Sequence, residues 1–67
     1  MTGDLYSRRH KFRVSLKRIA TSGGKGVYQI SRATTGESLY KFKASSMTQA
    51  YVMLRRFCGL PYDKELL

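Results

Sequence analysis

The sequence contains little cysteine, histidine and proline, and it contains no tryptophan. The single cysteine, Cys58, excludes an internal disulfide and a thiolate metal cluster. His10 is the single histidine, and a zinc site needs about four ligands gathered in space, so we expect no metal and no other cofactor. A catalytic pair of Cys58 and His10 is the one enzymatic alternative. It is disfavoured because Cys58 ends an apolar helical stripe, where a thiol usually serves as a small buried hydrophobe, and we expect no enzyme.

Long apolar runs are missing too. No segment approaches the roughly 18 apolar residues of a membrane-spanning helix, and the first residues lack the apolar stretch of a secretory signal. We therefore expect a cytoplasmic protein, associated with a nucleoid or present in a host cytoplasm, that binds no membrane. The 67 residues allow one domain with a thin core, since a chain of this size buries only about 60% of its unfolded surface.

Acidic residues are scarce as well. Four Asp and Glu stand against 13 Lys and Arg, and the formal net charge is +9. Such a charge bears on partners and association rather than on the fold. What this charge indicates about a partner therefore depends on where the basic residues lie in the fold.

Three segments alternate apolar and polar residues with the two-residue period of a half-buried strand. The glycine-rich residues 22–26 and the tight turn at 34–37 join them. Because both connections are short, an antiparallel meander is the simplest topology. The three predicted strands are residues 12–16, 27–32 and 39–44.

A helical pattern follows the third predicted strand. Ser46 with Gln49 three residues later fits a capping box, and Gly59 followed by Pro61 predicts the helix end. The apolar stripe expected to cover the sheet consists of Met47, Ala50, Tyr51, Leu54 and Cys58.

The predicted fold is therefore α+β, a three-stranded antiparallel sheet in the order β-β-β-α with one helix packed on one face. We expect this domain to occupy residues 10–60. Residues 1–9 show no periodicity and are expected to form a flexible basic arm, and residues 61–67 a short tail.

The sheet face opposite the helix is expected to be uncovered, basic and free of acid. Lys and Arg neutralise phosphates and release counterions, so this face predicts a nucleic-acid-binding surface. The arm and the strand ends extend it. The predicted interface consists of Arg8, Arg9, Lys11, Arg13, Ser15, Lys17, Lys25, Gln29, Ser31, Arg32, Lys41 and Lys43.

Within this set, two kinds of contact are expected. Arg favours guanine and Gln favours adenine, which makes Arg13, Gln29 and Lys41 candidates for base contacts. The strand aromatics Phe12, Tyr28, Tyr40 and Phe42 all fall on the helix side, whereas single-strand readers usually offer aromatics on the open face. Duplex DNA is thus favoured over RNA. The candidates for phosphate contacts are Arg9, Lys17, Lys25 and Lys43.

One family shows a similar arrangement. The segment Thr35-Gly36-Glu37, then Leu39-Tyr40-Lys41-Phe42, then Ser45 before an alanine-containing helix, resembles the arm-type (AP2-like) DNA-binding domain of tyrosine recombinases. The resemblance covers roughly residues 10–58 and implies a sheet docked in the DNA major groove, in a stand-alone module without the recombinase domain. It implies DNA-facing positions at Arg13, Ser15, Gln29 and Lys41.

Two other functions remain open. A small phage- or plasmid-type protein that binds and inhibits a host protein would use an acidic partner surface or an interface at Val52, Met53 and Arg56, which we expect on the exposed side of the helix. A ribonucleoprotein component would bind RNA. The sequence leaves open whether the chain is a monomer or a homodimer.

Overall fold

The computed structural model describes residues 3–66. A four-stranded antiparallel sheet in the order β1-β2-β3-β4 carries one α-helix on one face, and a short 3-10 helix follows. The elements are β1 (Gly3–Ser7), β2 (Phe12–Ser22), β3 (Lys25–Arg32), β4 (Ser38–Ala44), α1 (Met47–Phe57) and the 3-10 helix (Lys64–Leu66).

The predicted α+β class with an antiparallel sheet and one helix is confirmed, but the prediction of three strands is wrong. The additional strand, β1, lies in the segment expected to be a flexible arm, and its Leu5 pairs with Val14 of β2. Residues 1 and 2 of that arm lie outside the described residues. No clear apolar alternation marks β1, because the segment is short and its inward position next to the turn is the polar Ser7, which is buried.

The β2–β3 hairpin is longer than its apolar alternation predicts. Strand β2 continues to Ser22, with an irregularity between Arg18 and Ala20. All its residues from Lys17 onward are exposed, including the apolar Ile19, so no buried residue marks the extension. Gly23 and Gly24 form the turn, with φ values of 59° and 80° that favour glycine.

The ends of α1 follow the predicted signals. The Ser46 side chain accepts a hydrogen bond from the Gln49 backbone N–H at 3.1 Å, which confirms the N-cap. The Gln49 Oε1 accepts from the backbone N–H of Ser45 at 2.7 Å rather than from Ser46, so the reciprocal bond of the capping box is displaced by one residue. Gly59, with φ 73°, ends the helix in the left-handed region.

The core lies between α1 and the sheet. It consists of Val14, Leu16, Tyr28, Ile30, Phe42, Ala44, Ala50, Leu54 and Cys58.

Two predictions about the burial of α1 residues are wrong, and both concern the outer side of the helix. Tyr51, expected in the inward stripe, is 37% exposed, whereas Val52, expected on the surface, is only 5% exposed. The segment after the helix returns along this side, and Arg55 Nε donates to the carbonyl oxygen of Pro61 at 2.6 Å. The C-terminal tail therefore covers Val52. Met53 is half-buried.

No helix among residues 3–66 has the length and apolar character required to cross a membrane.

Candidate nucleic-acid interface

The sheet face opposite α1, called the open face here, is organised around one row of residues. Lys17 of β2 lies beside Gln29 of β3, which lies beside Lys41 of β4. Both lysines are exposed and Gln29 is half-buried between them. Since neighbouring strands are about 4.8 Å apart, the two lysine backbones are separated by about 10 Å.

The carboxamide of Gln29 is held by a neighbour on its own strand. Its Nε2 donates to the Ser31 hydroxyl oxygen at 2.8 Å. This bond leaves Oε1 and the second N–H of the same amide free to contact a partner. One acceptor and one donor side by side are the pair that a glutamine uses to bind adenine through N6 and N7.

Two more cations flank the central row. Arg13 lies on β2 four residues before Lys17, and Lys43 lies on β4 two residues after Lys41, so both share the face of the row. Ser15 and Ser31 pair with each other between strands β2 and β3. The face thus brings together seven of the predicted residues, namely Arg13, Ser15, Lys17, Gln29, Ser31, Lys41 and Lys43. Their role in binding stays a prediction.

Strand β1 changes two expectations for this face. Asp4 pairs with Ser15, so the face is not free of acid as predicted. Tyr6 pairs with Arg13 and is 54% exposed. The strand aromatics therefore do not all lie on the helix side. Both errors have the same origin, since the sequence pattern did not reveal β1.

The remaining predicted cations lie away from the open face, with Lys25 at its margin. Arg32 pairs with the core residue Val14, and its guanidinium carbon lies 4.5 Å from the centre of the Phe12 ring. Arg8, Arg9 and Lys11 belong to the β1–β2 turn rather than to an arm. Lys25 begins β3, next to the glycine turn.

The β1–β2 turn is fixed against the end of α1. The Arg9 backbone N–H donates to the carbonyl oxygen of Cys58 at 3.0 Å. In this position Arg9 lines a cleft of about 290 Å³ with Arg56, Tyr40, Phe57 and Met53. We call it the arginine–tyrosine cleft. Sequence reasoning missed it because its members come together only when the turn packs on the helix.

A second concavity lies on the outer side of α1. It is a mostly apolar groove of about 730 Å³ between the helix and the C-terminal tail, and we call it the tail groove. Val52 lines it, whereas Met53 and Arg56 line the arginine–tyrosine cleft. The interface predicted at these three residues is therefore divided between two sides of the helix.

The thiol of Cys58 lies in the core, as expected for a small hydrophobe. Burial raises its pKa, and a hydrogen bond with Ser7 and the charge of Arg55 oppose this only in part. A raised pKa keeps the thiol protonated and weakly nucleophilic. The His10 ring bonds instead to Ser7, with 2.7 Å between Nδ1 and Oγ. Within residues 3–66, no group of three or more His, Cys, Asp or Glu side chains is placed to hold a metal ion.

No protein-family profile, curated protein sequence or solved structure matches this chain.

Proposed function

We propose that this protein is a non-enzymatic module that binds duplex DNA through the open face of its sheet. The observation that carries the proposal is the row of Lys17, Gln29 and Lys41. Gln29, held by Ser31, offers an acceptor and a donor between two exposed cations. Arg13 and Lys43 widen the same positive surface, and one carboxylate, Asp4, lies at its β1 edge.

The dimensions of the face support a duplex partner. The axes of β2, β3 and β4 span about 10 Å at the usual strand spacing, and the major groove of B-DNA is about 12 Å wide. Strand β1 would extend the span to about 14 Å, so it would lie outside the groove, beside the DNA backbone. In this arrangement Arg13 and Gln29 contact base edges, and Lys17, Lys25, Lys41 and Lys43 contact phosphates.

The resemblance to arm-type domains of recombinases favours the same face and the same groove. It is part of the proposal and rests on residues 35–45 and the helix that follows. The edge strand β1, which pairs with β2, is an addition to the three-stranded arrangement that we expected.

A protein partner is the second candidate. The tail groove supports it, since a contiguous apolar concavity on a small protein is a frequent site of protein contact. In that case Tyr51 and Leu66, the exposed apolar side chains of the groove, govern binding and the lysines of the open face do not.

The test is the affinity for a labelled duplex of about 20 base pairs, measured by fluorescence anisotropy. The double variant Lys41→Ala/Lys43→Ala removes two charges from the open face, and Arg9→Ala/Arg56→Ala removes two from the opposite side. We expect the first to weaken duplex binding about tenfold or more and the second by less than about threefold. Equal losses, or no duplex binding by the native protein at low salt, would contradict the proposal.

A further inference from the structure

The arginine–tyrosine cleft has the chemistry of a site for a single nucleotide. It lies on the helix side of the sheet and is separate from the open face. It combines an exposed aromatic ring, two guanidinium groups and a volume of about 290 Å³, which is near the lower end of small-molecule sites.

The aromatic part of the cleft is preorganised by stacking. The Tyr40 ring lies 5.8 Å from Phe57 and 5.9 Å from Phe42, with interplanar angles of 11° and 21°. Phe57 stacks in turn on His10 at 4.6 Å. Tyr40 is 47% exposed although it lies on the core side of the sheet. One ring of a stacked series is thus partly accessible to a ligand.

The backbone that carries one of the two cations is also held in place. Arg9 is anchored through its backbone to Cys58, and both Arg9 and Arg56 are exposed. No carboxylate is among the residues that line the cleft. Two guanidinium groups that lack an acidic neighbour favour an anion, and Arg can bind phosphate through two parallel hydrogen bonds.

The negative end of the α1 dipole does not cancel the preference of the cleft for an anion. The C-terminus of a helix is the negative end of its dipole and would repel an anion. Here the last carbonyl oxygens of the helix already accept backbone hydrogen bonds. The Leu54 oxygen accepts from the Cys58 N–H, the Arg56 oxygen from the Gly59 N–H, and the Arg55 oxygen from the Leu60 N–H. Arg55 and Arg56 add positive charge in the last turn.

We propose that this cleft binds one unpaired nucleotide of a single strand. The base packs against the exposed part of the Tyr40 ring, and a flanking phosphate is bound by Arg9 and Arg56. A simple anion would not use the ring, and an apolar peptide would not use the paired guanidinium groups. The proposal does not depend on the open face, and it places duplex and single-strand contacts on opposite sides of the molecule.

The first test uses a fluorescein-labelled octathymidylate and two neutral substitutions. Tyr40→Leu removes the stacking ring, while Tyr51→Leu removes an exposed tyrosine on the other side of α1 and serves as the matched control. We expect about a tenfold loss of affinity for Tyr40→Leu, the usual effect of one base–aromatic stack, and less than a twofold change for Tyr51→Leu. Tyr40→Phe should retain binding. Equal losses for the two leucine variants would overturn the proposal.

The second test asks whether the single strand binds at this cleft or at the open face. It does not require Tyr40→Leu to fold. Arg9→Ala/Arg56→Ala should weaken octathymidylate binding about tenfold, whereas Lys41→Ala/Lys43→Ala should weaken it less than threefold. Thermal unfolding checks that each variant is folded. No octathymidylate binding by the native protein, or equal losses from the two pairs, would overturn the proposal. Failure of duplex binding alone would overturn only the function proposed for the open face.

Discussion

Gly26 is a residue whose role differs from its appearance in the sequence. It belongs to the glycine-rich segment, yet it lies in β3 and not in the turn. A Cβ atom added there would lie 2.8 Å from Cε1 of Tyr28. The Tyr28 ring is buried and stacks on Phe42 at 5.8 Å. Glycine is therefore needed at this position because an aromatic ring lies directly over the backbone.

We predict that Gly26→Ala destabilises the protein by about 1–3 kcal/mol, the usual cost of overpacking a core. Urea denaturation measures it. In a Tyr28→Leu background the same substitution should cost much less, since the ring that it displaces is gone and alanine is otherwise better than glycine in a strand. If the two costs are equal, Tyr28 is not the reason for the glycine.

Asp4 is the residue that most opposes the proposed function of the open face. It is exposed and lies beside Ser15 at the β1 edge, where it would lie near the DNA backbone in the proposed complex. We predict that Asp4→Asn tightens duplex binding roughly two- to threefold at low salt, the scale of an exposed charge interaction. Asp63→Asn in the tail is the matched control and should leave the affinity unchanged. A weaker complex for Asp4→Asn would place β1 away from the phosphates.

At the scale of elements, α1 has two buried sides rather than one. Ala50, Leu54 and Cys58 face the sheet, whereas Val52 is buried by the C-terminal tail. The 3-10 helix Lys64–Leu66 packs against α1 on this outer side. The tail is thus part of the folded unit.

We predict that Val52→Ala lowers the free energy of unfolding by about 1–2 kcal/mol, from the lost burial of two methyl groups. Deleting residues 61–67 should reduce the effect of the same substitution to a few tenths of a kcal/mol, because the tail no longer covers the side chain. The two effects form a double-mutant cycle that measures the contact. Additive effects would show that the tail does not bury Val52.

Sequence reasoning succeeded for the elements whose apolar period is clean. It predicted β2, β3 and β4 in an antiparallel meander, and the residues Ser46 and Gly59 at the ends of α1. It failed for β1, because the burial of this strand depends on tertiary contacts that leave no periodic pattern in the local sequence. The open face was predictable because side chains alternate along a strand. The arginine–tyrosine cleft was not, since it joins a turn, a strand and a helix end.

At the scale of the whole molecule, positive charge is concentrated on two opposite sides. The open face carries Arg13, Lys17, Lys41 and Lys43, and the helix side carries Arg9 and Arg56. The longest dimension of the protein is 33 Å, which is about one turn of B-DNA. In the proposed complex, contact through the open face, with Lys25 at its margin, would neutralise roughly four phosphates.

The most direct measurement is the salt dependence of duplex binding. The logarithm of the association constant should fall linearly with the logarithm of salt concentration, with a slope of about −4, since each neutralised phosphate contributes about −0.9. Lys41→Ala/Lys43→Ala should reduce the magnitude of that slope by about 2, and Arg9→Ala/Arg56→Ala should leave it unchanged. A slope near zero, or one that the lysine substitutions do not alter, would contradict binding through the open face.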